Sequence, residues 1–202
     1  MYVNRKSRQV FLAHMKTGSR AVRDILRNRG FESVYGHHGG PWHGRTPKFT
    51  TEPATWWYEQ DPYEFRYYTV VRNHFDIIQT FLHMPHGDQF DGIPDEIGKV
   101  KEFMRGRAPH FHHGSKLFKF VQEVPGVDVM SFECLAFDLN RMLEWGGHAP
   151  LSATEWIQGE PNKGFLTTAK PRLHYREYTS PELRAWIEDR FATEMSILGY
   201  SW

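Results

Sequence analysis

Three short apolar runs punctuate the chain: Val10 to Ala13, Tyr67 to Val71 and Val127 to Phe132. Each has the length and β-branched or aromatic content of a buried strand. Each is followed by apolar residues at helical spacing. Ala21, Val22, Ile25 and Leu26 share one face opposite Arg20, Arg23, Asp24 and Arg27, and Gly30 supplies a stop. Phe75, Ile78, Phe81 and Leu82 repeat the spacing after the second run. Leu135, Leu139, Met142 and Leu143 repeat it after the third, closed by Gly146 and Gly147. A last helix starts at Ser180 as cap with Pro181 in its first turn, carries Leu183, Trp186, Ile187, Met195 and Leu198 as an apolar stripe, and ends at Gly199. Strand and helix alternating in this way predict an α/β fold with a mainly parallel central sheet flanked by helices.

Two intervals break the alternation. Residues 35–63 are rich in Gly, His, Pro and Trp, and residues 83–115 hold Gly87, Gly92, Pro94 and Pro109, with a helix expected from Asp95 to Arg105. Long irregular stretches carry function more often than packing, so both are assigned to the acceptor side of any site. The 202 residues, 40% hydrophobic, suffice for a single domain spanning 1–202.

Charge narrows the partners. The formal net charge is +1, which gives no field that would draw nucleic acid or an anionic membrane. No stretch approaches the roughly 20 apolar residues of a membrane span. Met1 to Arg8 is polar and basic with no signal-peptide core, and Cys134 is the single cysteine. These features lead us to expect a cytoplasmic protein without an internal disulfide. Oligomeric state is left open.

The first apolar run leads into His14-Met15-Lys16-Thr17-Gly18-Ser19-Arg20, where the next helix begins. A strand, a tight turn and a helix start leave backbone N–H groups pointing outward, and the helix dipole favours an anion there. Gly18 permits close approach, Thr17 and Ser19 add hydroxyls, and Lys16 and Arg20 add charge. The alternative for the same residues is an ordinary turn with surface charges. The G-x-x-x-x-G-K-[ST] pattern of nucleoside triphosphatases is absent.

Phe11 to Val22 resembles the 5′-phosphosulfate loop of sulfotransferases that use 3′-phosphoadenosine 5′-phosphosulfate (PAPS), with Met15 in place of the usual proline. Thr69-Val70-Val71-Arg72-Asn73-His74-Phe75-Asp76 resembles the same family's 3′-phosphate motif, an arginine at a strand end followed by a helical hydroxyl residue. Thr80 follows Arg72 by eight residues and replaces the family's serine, and His74 replaces its proline. Alone, Arg72 has a structural alternative, an ion pair with Asp76. Val129 to Leu135 with Asp138, and the tail from Tyr175 to Tyr200, look like later parts of the family that serve the fold. The resemblance implies a P-loop-like sulfotransferase fold. It implies transfer of a sulfuryl group from PAPS to a hydroxyl or amine of a carbohydrate or small metabolite. Lys16, Thr17, Gly18, Ser19 and Arg20 would then hold the phosphosulfate, Arg72 and Thr80 the 3′-phosphate, and Lys163, Lys170 and Arg172 would assist.

A hydroxyl acceptor also requires a base. Twelve histidines are present, and Gly36-His37-His38-Gly39-Gly40 lies between the two motifs, where some glycan sulfotransferases of the family carry a catalytic histidine. His38 is favoured, then His37, with Glu32 as the carboxylate alternative. His37, His38 and His43, or His110, His112 and His113, could contribute to a metal site. The His-x-x-x-His pattern and paired cysteines are missing, so no metal is expected. The competing assignments are a nucleotide or nucleoside kinase with a degenerate loop, and a metal-binding, non-catalytic protein.

Overall fold

The first two strands form a hairpin that the apolar pattern does not announce. β1 (Tyr2–Asn4) and β2 (Gln9–Leu12) pair antiparallel, with Tyr2 opposite Phe11 and Asn4 opposite Gln9. Residues 5–8 make the turn. Arg8 adopts a left-handed φ of 53°, and Asn4 Oδ1 accepts a bond from the Ser7 amide at 3.0 Å. The computed structural model describes residues 1–13, 19–33, 64–82, 92–106, 126–152, 155 and 175–202, with a few of their side chains excluded.

The remaining elements are α1 (Ser19–Arg27), β3 (Glu32–Ser33), β4 (Arg66–Val71), α2 (His74–Leu82), α3 (Glu96–Gly106), β5 (Val127–Ser131), a 3-10 turn (Phe132–Cys134), α4 (Leu135–Trp145), α5 (Tyr175–Tyr178), α6 (Pro181–Arg190) and α7 (Ala192–Leu198). The five strands run in the order β3-β1-β2-β4-β5. β2, β4 and β5 are parallel, whereas β1 is antiparallel to both β2 and β3. The protein is therefore α/β, but its sheet is mixed rather than mainly parallel. The reason is the N-terminal hairpin. A four-residue turn can only return the chain antiparallel, while the parallel pairs require longer crossovers.

The three apolar runs each form a strand, and the helices after them form where the spacing places them. One correction concerns the last helix, which is two. Phe191 leaves helical geometry at φ −118° and ψ 17°, and its buried ring stacks on His74 at 4.6 Å. Ser180 caps α6 by accepting from the Leu183 amide at 3.2 Å, and Gly199 closes α7 at a φ of 71°.

One face of the sheet, with Phe11, Tyr68, Val70 and Met130, packs on Val22 and Leu26 of α1 and Leu139 and Leu143 of α4. A separate cluster joins Phe75 and Ile78 of α2 to Val100 of α3, Tyr175 of α5, Leu183 and Ile187 of α6 and Met195 of α7. Gln9 ties the hairpin to the end of α4 through a 2.6 Å bond from Nε2 to the Met142 carbonyl. A Cβ at Gly146 would meet the Gln9 side-chain amide, so a side chain there would displace Gln9 from this bond. Among the described residues, no helix is long and apolar enough to cross a membrane.

Candidate functional site

β2 and β4 are adjacent and parallel, with Leu12 level with Thr69, so the chain leaves both at one edge of the sheet. That edge, at the carboxyl ends of the strands, is where open α/β sheets bind ligands. The interval joining the end of β2 to the start of α1 contains Lys16, Thr17 and Gly18, which lie outside the described residues. Ser19 and Arg20 open α1, though their side chains also lie outside them. No acidic residue occupies the first turn of α1, so the helix's own sequence does not offset its positive end.

Arg72 follows β4 directly, and its side chain is only 4% exposed. The guanidinium pairs with the Asp76 carboxylate and lies over the Phe132 ring, with Cζ 4.0 Å from the centroid. Thr80 is one turn beyond Asp76 and donates from Oγ1 to the Asp76 carbonyl at 2.7 Å. Arg72, two residues before α2, and Asp76 and Thr80 on it are thus linked in a row. The ion pair raised as the structural alternative for Arg72 is present, and a phosphate would share this guanidinium with Asp76. Such a pair, nearly dry on the arginine side, holds the fork in a fixed orientation.

Asn73 organises the start of α2. Its Oδ1 accepts from the Phe75 amide at 3.0 Å, and its Nδ2 donates to Tyr175 Oη and to the Ser201 carbonyl, each at 3.2 Å. Its backbone N–H points to Glu133 Oε1 at 3.5 Å. The other oxygen of Glu133 accepts from Ser131 Oγ at 2.5 Å and from Tyr200 Oη at 2.8 Å. Burial raises the Tyr200 phenol well above its ordinary value; the bond to Glu133 adds to the rise and a contact with Ser131 opposes it. Tyr200 therefore stays a proton donor at every working pH. Asn73, Glu133 and Tyr200 lie inside stretches that the sequence reading quoted, but it gave none of them a role at the site. The local signal for Asn73 is an asparagine directly before a helix.

His37 and His38 lie outside the described residues, as do Lys163, Lys170, Arg172 and the His110, His112 and His113 group. The strand preceding the His37-His38 pair is informative. β3 is antiparallel to β1, which is antiparallel to β2, so β3 runs in the direction of β2 and its Ser33 is level with Tyr2. The chain therefore leaves β3 heading for the edge that β2 and β4 reach. Glu32 is exposed on this edge strand, level with Val3 and hence with Val10, short of that edge.

The two described histidines are elsewhere. His148 contacts Ser7 Oγ at 3.3 Å beside the hairpin turn, and the Ser7 hydroxyl donates to Gln9 Oε1, so this pair locks the turn rather than presenting a nucleophile. His74, first in α2, is buried against Phe191, its Nδ1 has no hydrogen-bond partner, and burial pushes its imidazolium down to about 4. Among the described residues, no three His, Cys, Asp or Glu side chains could hold a metal ion. A shallow cleft beside Arg66, Asp128 and Trp145 lies at the opposite ends of β4 and β5, with Arg66 paired to Asp128 at 2.6 Å and stacked 3.8 Å from the Trp145 ring centroid.

Comparison with known proteins assigns no family: no family model matches the chain, and no curated protein matches it significantly.

Proposed function

We propose that this protein is a sulfotransferase that moves a sulfuryl group from PAPS to a hydroxyl or amine of a carbohydrate or small metabolite. The observation that supports this reading best is the adjacency of β2 and β4, the strands that lead into the two motifs and end at one sheet edge. The Lys16 to Arg20 interval leaves the first strand and the Arg72 to Thr80 segment leaves the second. Two anion-binding elements leaving adjacent strands would suit a donor that carries anionic groups at both its 5′ and 3′ positions. The donor set fits: an α1 start free of acidic residues, and an arginine held rigid at the strand end.

In this reading PAPS supplies the sulfuryl group and a phosphate leaving group. The acceptor oxygen or nitrogen bonds to sulfur while the bond from sulfur to the 5′-phosphate oxygen breaks. Lys16 stabilises the charge that grows on that oxygen. Backbone N–H groups and hydroxyls of Thr17, Gly18 and Ser19, with Arg20, hold the phosphosulfate. Arg72 and Thr80 hold the 3′-phosphate. His38, with His37 as second candidate, takes the proton from the acceptor. The direction in which the chain leaves β3 supports this assignment over Glu32.

Release of the 3′,5′-bisphosphate from PAPS, measured across a panel of sugars and phenolic and amine metabolites, tests the proposal. Lys16→Ala should lose at least about a hundredfold in turnover while folding normally. His38→Ala should lose a similar factor and the rise of rate with pH near the ordinary histidine value of about 6.5. Full turnover in Lys16→Ala would remove the proposal. Full turnover in a double His37→Ala, His38→Ala variant would pass the role of base to Glu32.

A further inference from the structure

The residues next to Arg72 are held from two sides, by the tail that follows α7 and by Glu133. Asn73 is 6% exposed, and each polar group of its side chain is used: Oδ1 caps α2, and Nδ2 reaches both Tyr175 and the Ser201 carbonyl. On the other side, Glu133 links the Asn73 backbone amide to the Tyr200 hydroxyl. Glu133 follows Phe132, the ring on which the Arg72 guanidinium rests. The two links converge on the peptide that joins Arg72 to Asn73.

The aromatic packing fixes the same tail. Trp202 meets Phe75 edge-on at 4.7 Å and Tyr175 at 5.4 Å, and Arg184 lies 4.6 Å from its ring centroid. Apolar contact anchors the tail, and the hydrogen bonds from Tyr200 and to Ser201 set its register against α2. Glu133 is exposed, so its bond to Tyr200 is weak as a source of stability. Its geometric effect is larger: the carboxylate accepts from Tyr200 Oη, Ser131 Oγ and the Asn73 amide, and so links the tail to the residue after Arg72.

We infer that Tyr200 and Ser201 form a clasp on the segment carrying Arg72, with Asn73, Glu133 and Tyr200 as positioning residues that set the arginine for the donor's 3′-phosphate. The role rests on the sulfotransferase reading, because it concerns a phosphate that only such a donor presents there. None of the three residues needs to touch the ligand. Loss of the clasp lets the Arg72 to Asn73 peptide rotate, which lengthens the contacts of a group that works only in one orientation.

The test is the ratio of dissociation constants for adenosine 5′-phosphate and adenosine 3′,5′-bisphosphate, measured by calorimetry on the full chain. Tyr200→Phe keeps the ring and removes the donor to Glu133. Asn73→Ser keeps a capping oxygen and removes the amide that reaches Tyr175 and Ser201. Either variant should lower the ratio by about three- to tenfold, the effect of one hydrogen bond, with little change in affinity for the 5′-monophosphate. A merely structural role would weaken both ligands alike. Wild-type ratios in both variants would overturn the clasp and leave the sulfotransferase reading standing. Absence of any preference for the bisphosphate in the wild-type chain would instead overturn the 3′-phosphate assignment, and the clasp's role with it.

Discussion

At the scale of single residues, Arg72 and His74 stand almost side by side and behave oppositely. Arg72 keeps its charge under the surface because Asp76 and the face of Phe132 replace water. Arg72→Ala should weaken adenosine 3′,5′-bisphosphate far more than adenosine 5′-phosphate. Equal weakening of the two in calorimetry would show that the ion pair with Asp76 is purely structural. His74 has no such compensation and stays neutral. Its folded value lies near 4, against 6.5 in an open chain. Between those values the unfolded state binds more protons, so stability is full above about pH 6.5, falls by up to tenfold in the folding constant per pH unit below it, and levels off near pH 4. His74→Phe keeps a ring against Phe191 and removes the titration. Its stability should lose this part of the acid slope, as read from urea melts between about pH 4 and 7. An unchanged slope would show that His74 is not the group responsible.

At the scale of elements, most helices and strands were legible because they are amphipathic or apolar over several residues. The parts that were not legible have physical reasons. β1 is three residues long, too short for a periodic pattern, and it is buried because it pairs with β2 and β3 while Tyr2 and Val3 join the cores on the two sheet faces. β3 has two exposed residues and exists only as an edge. The break between α6 and α7 falls at Phe191, whose buried ring stacks on His74, a tertiary contact that no periodicity encodes. The start of α6 was legible, since Ser180 and Pro181 act locally. Ser180→Ala should cost about 1 kcal/mol in equilibrium unfolding, by loss of the bond from the Leu183 amide. No loss would mean that neither the cap nor the 3.1 Å bond from Ser180 Oγ to Glu96, which the same substitution removes, adds to stability.

At the scale of the whole molecule, a mixed sheet places two strand ends together, and the chain leaving β3 heads for the same edge. The motifs were visible as residue types at given spacings. Their supports were not, because Asn73, Glu133 and Tyr200 meet only through tertiary contacts spanning 60 to 128 positions. The most direct test of the central claim is calorimetric titration of the wild-type protein with adenosine 3′,5′-bisphosphate, set beside ATP with magnesium and beside zinc. The account predicts saturable one-to-one binding of the bisphosphate, tighter than adenosine 5′-phosphate, with neither ATP nor zinc taken up comparably. Binding of magnesium ATP or of zinc in its place, with the bisphosphate ignored, would contradict it.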